Sequence, residues 1–151
     1  MKIFIKVGVI LISLLILIGA ISCKKEEIIP TADFNLMLHA QGRYIYVLGV
    51  ITGARYDLNL TIKETNGVGA QILSVKTVYI DIVGHSFEFN QSLAEILGTG
   101  YIGPNQQINP HIVSNIGAAN LLEAKTVQMT IEFLDDNAHH ITKTVQASVQ
   151  W

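Results

Sequence analysis

The sequence predicts an all-β domain, an antiparallel β-sandwich of about seven strands with one short helix, behind an apolar N-terminal segment. Three observations predict it. Apolar residues recur with period two over most of residues 34–151, the signature of strands with one buried face. Turn-forming runs, Asn66-Gly67 and Asp135-Asp136-Asn137 among them, interrupt the alternation. Only one stretch carries helix start and stop signals, and it is about two turns long.

The N-terminal segment reads as an export address. Lys2 and Lys6 precede fifteen uncharged residues, 7–21, which end in Ser22 and Cys23. A membrane-spanning helix needs about 20 apolar residues and a signal-peptide core about 7–15. The length therefore favours a signal, and the lysines ahead of it hold the N-terminus in the cytoplasm. Ala20-Ile21-Ser22-Cys23 resembles the lipobox of bacterial lipoproteins, with Ala20 where leucine is usual. That resemblance implies cleavage after Ser22 and acylation of Cys23, the single cysteine of the chain. Two or more acyl chains anchor a protein stably where one does not. The charged run Lys24-Lys25-Glu26-Glu27 after Cys23 resembles the surface-export signal of Bacteroidota-type lipoproteins, and equally suits a solvated tether. The expected organisation is a signal peptide over 1–22, a lipidated tether over 23–32 and one domain over 33–151.

Within that domain, Phe34, Leu36 and Leu38 alternate with Asn35 and Met37. Residues 44–51 are apolar on both faces, as a central strand would be. Tyr56, Leu58, Leu60 and Ile62 alternate strictly with Asp57, Asn59, Thr61 and Lys63, the clearest strand signal in the chain. Asn66-Gly67 then turns the chain, since both residues tolerate positive φ. Residues 71–83 make the next strand. Its parity slips between Val75 and Val78, and a bulge near Lys76-Thr77 would restore one inward face. Phe87 and Phe89 flank Glu88 in a short strand. Residues 91–97 form the helix candidate, capped by Asn90 or by Ser92 with Glu95 and stopped by Gly98. Residues 98–120 are rich in Gly and Asn, with an apolar patch at 108–113 that suits either a loop or one more strand. Val127, Met129, Ile131 and Phe133 point one way. Ile141, Val145, Ala147, Val149 and Trp151 share a parity in the last strand.

Two stretches resemble bacterial immunoglobulin-like domains: 58–69 with Ile72-Leu73-Ser74-Val75, and 129–137 before the closing strand. The resemblance implies an Ig-like sandwich over the domain and carries no catalytic residue with it.

Charge and motif content narrow the function classes. Without Lys2 and Lys6 the mature chain has 8 basic and 12 acidic side chains, a formal charge of −4. No basic block exists, so nucleic-acid binding lacks its electrostatic basis. One cysteine makes no disulfide and no Cys-based zinc site. Gly98-Thr99-Gly100-Tyr101-Ile102-Gly103 spells a dinucleotide fingerprint, but it follows a helix signal and runs into Pro104 instead of opening a helix after a strand. His139 and His140, adjacent on a strand, face opposite sides. His39, His85 and His111 stand alone. Asp135-Asp136-Asn137 lacks the alternating acids of a calcium loop and reads as a turn. No nucleophile elbow is present.

No metal and no cofactor is therefore expected, and no enzyme. The expected function is a lipid-anchored binding or adhesion-type module of the cell envelope, in the outer membrane and facing the cell surface. Its partners would be the membrane, through Cys23, and a protein or glycan of unknown identity. The alternatives are a glycan-binding accessory lipoprotein, which needs exposed aromatics as a platform, and a small envelope enzyme or inhibitor. The candidate contact site is the loop around Gly100, Tyr101 and Gly103: glycines let a ligand approach, and tyrosine offers a large face with a polar tip. The competing reading is that Tyr101 plugs the end of the sheet.

Overall fold

A computed structural model describes residues 28–90, 100–117 and 123–151. The expected signal peptide, Cys23 and the expected helix at 91–97 lie outside the described residues. The described residues are all-β, without a helix. Among the described residues nine strands occur: β1 (Phe34–Val47), β2 (Val50–Glu64), β3 (Ala70–Ile80), β4 (Ser86–Asn90), β5 (Tyr101–Ile102), β6 (Gln107–Ile108), β7 (His111–Gly117), β8 (Thr126–Asp135) and β9 (His140–Gln150). They form one mixed sheet in the order β4-β3-β8-β9-β1-β2-β6, with β5 added to β3 and β7 to β2. All ladders are antiparallel except β1 with β9, which pair in parallel at Ala40 with Val149 and Gln41 with Gln150.

The sheet curls so that distant strands meet. Tyr56 of β2 and Tyr79 of β3, four positions apart in strand order, bring their rings to 4.6 Å. Phe34 of β1 stacks on Phe133 of β8 at 4.0 Å. Between these pairs lies the core: Leu58, Leu60 and Ile62 from β2, Ile72 and Val75 from β3, Val127, Met129 and Ile131 from β8. Alternation drives this burial, since successive side chains of a strand point to opposite faces. The strict alternation over residues 56–62 places all four apolar side chains inside.

Two expectations need correction. Residues 44–51 are not a central strand: Leu48 and Gly49 turn the chain, and β1 and β2 form one long hairpin about them. The period-two pattern continues through Gly42, so no turn separates Leu38 from Tyr44. The β3 bulge lies at Leu73, which is skipped between the Ile72–Phe133 and Ser74–Glu132 pairs, rather than at Lys76-Thr77. Val75, Thr77 and Tyr79 therefore face inward, Val78 and Ile80 are only half-buried, and Ile82 and Val83 fall in an exposed turn. The apolar patch at 108–113 is strand: Ile108 ends β6 and Ile112 is buried in β7.

Candidate functional site

The strand directions give the domain two poles. At one, the chain arriving at β1 is fastened by two buried carboxylates and their turns. Glu64, fully buried at the end of β2, accepts Asn66 N at 2.7 Å, Gly67 N at 2.9 Å and Asn105 N at 2.7 Å. Burial opposes its charged form, but these backbone donors outweigh burial and hold the carboxyl below its ordinary range. Asp135, at the end of β8, does the same for the 135–139 turn. It accepts Asn137 N at 2.9 Å, His139 N at 2.8 Å and Ala32 N at 3.1 Å, and lies 3.0 Å from His139 Nδ1. Burial again raises the cost of the charge and the donors overcome it, leaving the pKa at about 2. The turn side chains also hold the incoming chain: Asn66 Nδ2 donates to Thr31 O at 2.6 Å and Asn137 Nδ2 to Pro30 O at 2.7 Å.

The loop singled out from the sequence sits at this pole. Gly100 precedes β5, a two-residue strand paired with the start of β3. Tyr101 is 41% exposed, and its hydroxyl donates to Asp136 Oδ2 at 2.9 Å. That bond, ahead of partial desolvation, raises the phenol pKa. Tyr101 lies over Gly69, where any Cβ would collide with its hydroxyl. Gly100 faces Gln71, whose amide would stand 2.5 Å from a Cβ there, and the Gly103 N–H donates to Gln106 Oε1 at 2.7 Å. The structure thus brings Gly100, Tyr101 and Gly103 together, and their close approaches are made to the protein's own side chains. Residues 100–103 enter the short strand β5 rather than a helix, which is not the setting of a dinucleotide fingerprint. Among the described residues, no three His, Cys, Asp or Glu side chains gather as a metal site. His139 pairs with Asp135, His85 with Asp81, and His111 lies 3.5 Å from Asp57.

The opposite pole holds what sequence reasoning missed. Leu48 and Gly49 have φ of 50° and 82°, the pair of left-handed residues that a two-residue hairpin turn needs. Gly49 takes this φ without strain; leucine does so only at a cost. Around the turn, Tyr46, Val47, Leu48, Val50 and Ile51 are all exposed, Leu48 completely and Val50 by 65%. In register, Tyr46 opposes Ile51 and Val47 opposes Val50, so both faces of the ribbon are apolar. A bulge leaves Thr52 unpaired between Ile45 and Tyr46, and its hydroxyl bonds Ile45 O at 3.2 Å. From Tyr44 to Ala54 there is no charge. Arg43 and Arg55 face each other across the ladder where the apolar stretch ends, and both reach Asp57. The available signal was the equal length of apolar chain on either side of Leu48-Gly49, which marks a hairpin centre.

Aromatic rings also collect here. Tyr44 stacks on Trp151 at 4.8 Å with an interplanar angle of 29°, and Tyr46 meets Tyr44 at 75°. The rings pack on one another instead of lying side by side as a sugar platform would require. The Trp151 indole donates to Ala124 O at 2.9 Å, which fixes it.

No protein-family model matches the chain, and no curated protein matches its sequence. Solved structures share parts of its shape. The structural-genomics target SoR45 is 16% identical with a TM-score of 0.49, over 76% of this chain and 86% of that one. A Bordetella pertussis protein that carries the name ApaA is 12% identical with a TM-score of 0.47, over 77% and 94%. The alkylpurine DNA glycosylase AlkC of Pseudomonas fluorescens, solved on DNA containing an abasic-site analogue, is 17% identical with a TM-score of 0.36. The match spans 77% of this chain but only 30% of the glycosylase. None of these likenesses bears on function.

Proposed function

We propose that this chain is a lipid-anchored module of the cell envelope that works by non-covalent contact rather than catalysis. Its fold in this reading is an Ig-like sandwich, supported by the face-to-face packing of β2 on β3 and of β1 on β8. The lipobox-like run ending at Cys23 supports the anchor, in the outer membrane and facing the cell surface.

The observation that carries the reading is the hairpin tip. Five consecutive large apolar side chains, broken only by Gly49, stand exposed at the end of β1. A folded domain rarely exposes such a patch unless it meets something there. The tether end and the tip lie at opposite poles: β1 has 14 residues, so they are roughly 43 Å apart at about 3.3 Å per residue. The anchored end holds the domain, and the tip is the contact surface.

The test compares wild type with Val47→Asp and Val50→Asp for binding to isolated envelope fragments, alongside thermal melting. Retained melting with lost binding supports the reading. Unchanged binding in both variants removes the tip from the contact surface. Mass spectrometry of the mature N-terminus decides the anchor independently: a free thiol at Cys23 would end that part of the reading.

A further inference from the structure

The shape of the tip identifies what covers it. A groove-bound strand or helix has one apolar face. This ribbon is apolar on both faces and at its end, with Tyr46 opposite Ile51, Val47 opposite Val50, and Leu48 wholly exposed between them. Pairing with a second copy along the free edge of β1 would leave both faces in water. A fluid apolar medium covers all three surfaces at once.

The charges fit the same medium. Arg43 and Arg55 stand at the base of the apolar stretch, and Asp57 neutralises only one of them, leaving a formal excess of one positive charge. Tyrosine and arginine at the boundary of an apolar segment suit the headgroup layer, where phosphates meet guanidinium groups. Among the described residues, the hairpin has only its own internal ladder from Tyr44 outward on β1, and unpaired strand edges are costly in hydrocarbon. Insertion is therefore shallow, confined to the interfacial layer about 5–10 Å deep.

The chain outside the described residues brings the tip within reach of a bilayer. Six residues separate Cys23 from Pro30, the first described residue fastened to the domain, and the seven steps between them span at most ~25 Å. That length lets a domain roughly 43 Å from pole to pole lie along the surface that holds its anchor. Ile28 and Ile29, both exposed, are apolar at the anchored end as well.

We propose that the 46–51 hairpin tip docks into the interfacial layer of the bilayer that carries the Cys23 anchor, so that the domain is held at both poles. This rests on the lipid-anchored contact reading above and names its occupant.

The test uses the full lipidated chain carrying Leu48→Cys, labelled with the environment-sensitive fluorophore NBD. Wild type is the labelling blank, because acylated Cys23 has no free thiol. The chain is reconstituted in vesicles of phosphatidylethanolamine with phosphatidylglycerol. The expected result is a blue-shifted emission and strong quenching by nitroxide-bearing lipids at position 48. Neither effect should appear at Val113→Cys on the exposed face of β7. Adding Arg43→Gln should weaken the quenching. A water-like emission in vesicles overturns the proposal. If the label is then shielded in envelope fragments, a protein occupies the tip and the contact reading stands. If it is shielded in dilute detergent and the shielding grows with protein concentration, a second copy occupies it. If it stays water-like everywhere, both readings fall. Label uptake by wild type would overturn the anchor itself.

Discussion

The hydroxyl of Tyr101 donates to Asp136 at 2.9 Å directly above Gly69. One backbone position without a side chain thus lets the β5 loop lie on the turn between β8 and β9. Gly69 also accepts Asp136 N at 2.9 Å, so the β8–β9 turn is tied both to the β5 loop and to the β2–β3 turn. A methyl at position 69 would strike both the phenol and the Asp136 carboxylate. Gly69→Ala should therefore destabilise the domain, and by less in a Tyr101→Ala background than in wild type. Contacting residues commonly show such coupling at about 0.5–3 kcal/mol. Denaturant midpoints of the four proteins measure it. Strict additivity would mean that Tyr101 does not occupy the space over Gly69, and would return it to consideration as a free binding face.

Acid should loosen the pole of Glu64 and Asp135 first. Asp135 has its pKa lowered from 3.8 to about 2 by the donors of the 135–139 turn and of Ala32. A carboxyl depressed on folding contributes stability that is fully present above its unfolded pKa and is lost as pH falls toward the folded one. The window for Asp135 is therefore about pH 4 down to 2, and Glu64, lowered by the same kind of donors, adds to it. Asp135→Asn should cost on the order of 1–3 kcal/mol at neutral pH, because a neutral amide meets backbone donors less well. It should also flatten the acid-dependent loss. Urea midpoints across that window test this, and equal slopes for the variant and wild type would place the acid sensitivity elsewhere.

The β2 register predicts a sharp contrast between neighbours. Leu60 is buried against the core while Asn59 points to solvent. Leu60→Ala should cost about 2–5 kcal/mol, a cavity-forming change in a packed interior. Asn59→Ala should stay within about 0.5 kcal/mol, as exposed substitutions do. Comparable midpoint shifts for the two would show that the inward face has been misassigned.

What the sequence revealed followed from where period two is a sufficient guide. Tyr56 to Ile62, Val127 to Phe133 and the turn at Asp135 lie in regular ladders, so alternation alone orders them. The hairpin tip escaped because its residues obey no inside–outside rule. Tyr46, Val47, Leu48, Val50 and Ile51 read as a strand buried on both faces, and only pairing partners show that nothing covers them. Alternation misplaces the β3 bulge because Val78, Ile80 and Ile82 form an apolar row that reads as an inward face, whereas they are half-buried or exposed. Partner geometry across β8 places it at Leu73. The carboxylate clamps at Glu64 and Asp135 join residues far apart in sequence, such as Ala32 with Asp135. No local pattern announces such bonds.

Leu48 offers the most direct separation of stability from contact. Its φ of 50° places a branched, bulky residue in the left-handed region, which costs L-amino acids about 1–2 kcal/mol and asparagine less. Asn-Gly is the favoured pair for this turn. Leu48 is completely exposed, so it recovers none of that cost by packing within the domain. Leu48→Asn should therefore raise stability by about 1 kcal/mol, seen as a higher denaturant midpoint and melting temperature. It also replaces the most exposed apolar side chain of the tip with a polar one. The same variant should weaken the tip's binding to phosphatidylethanolamine–phosphatidylglycerol vesicles, read as loss of nitroxide quenching from a label at Val47→Cys. A gain in stability with a loss of contact would mean that leucine is kept at this strained position for what it touches outside the domain. A loss of stability would mean that Leu48 packs within the domain after all, and the tip would then be a structural hairpin instead of a contact surface.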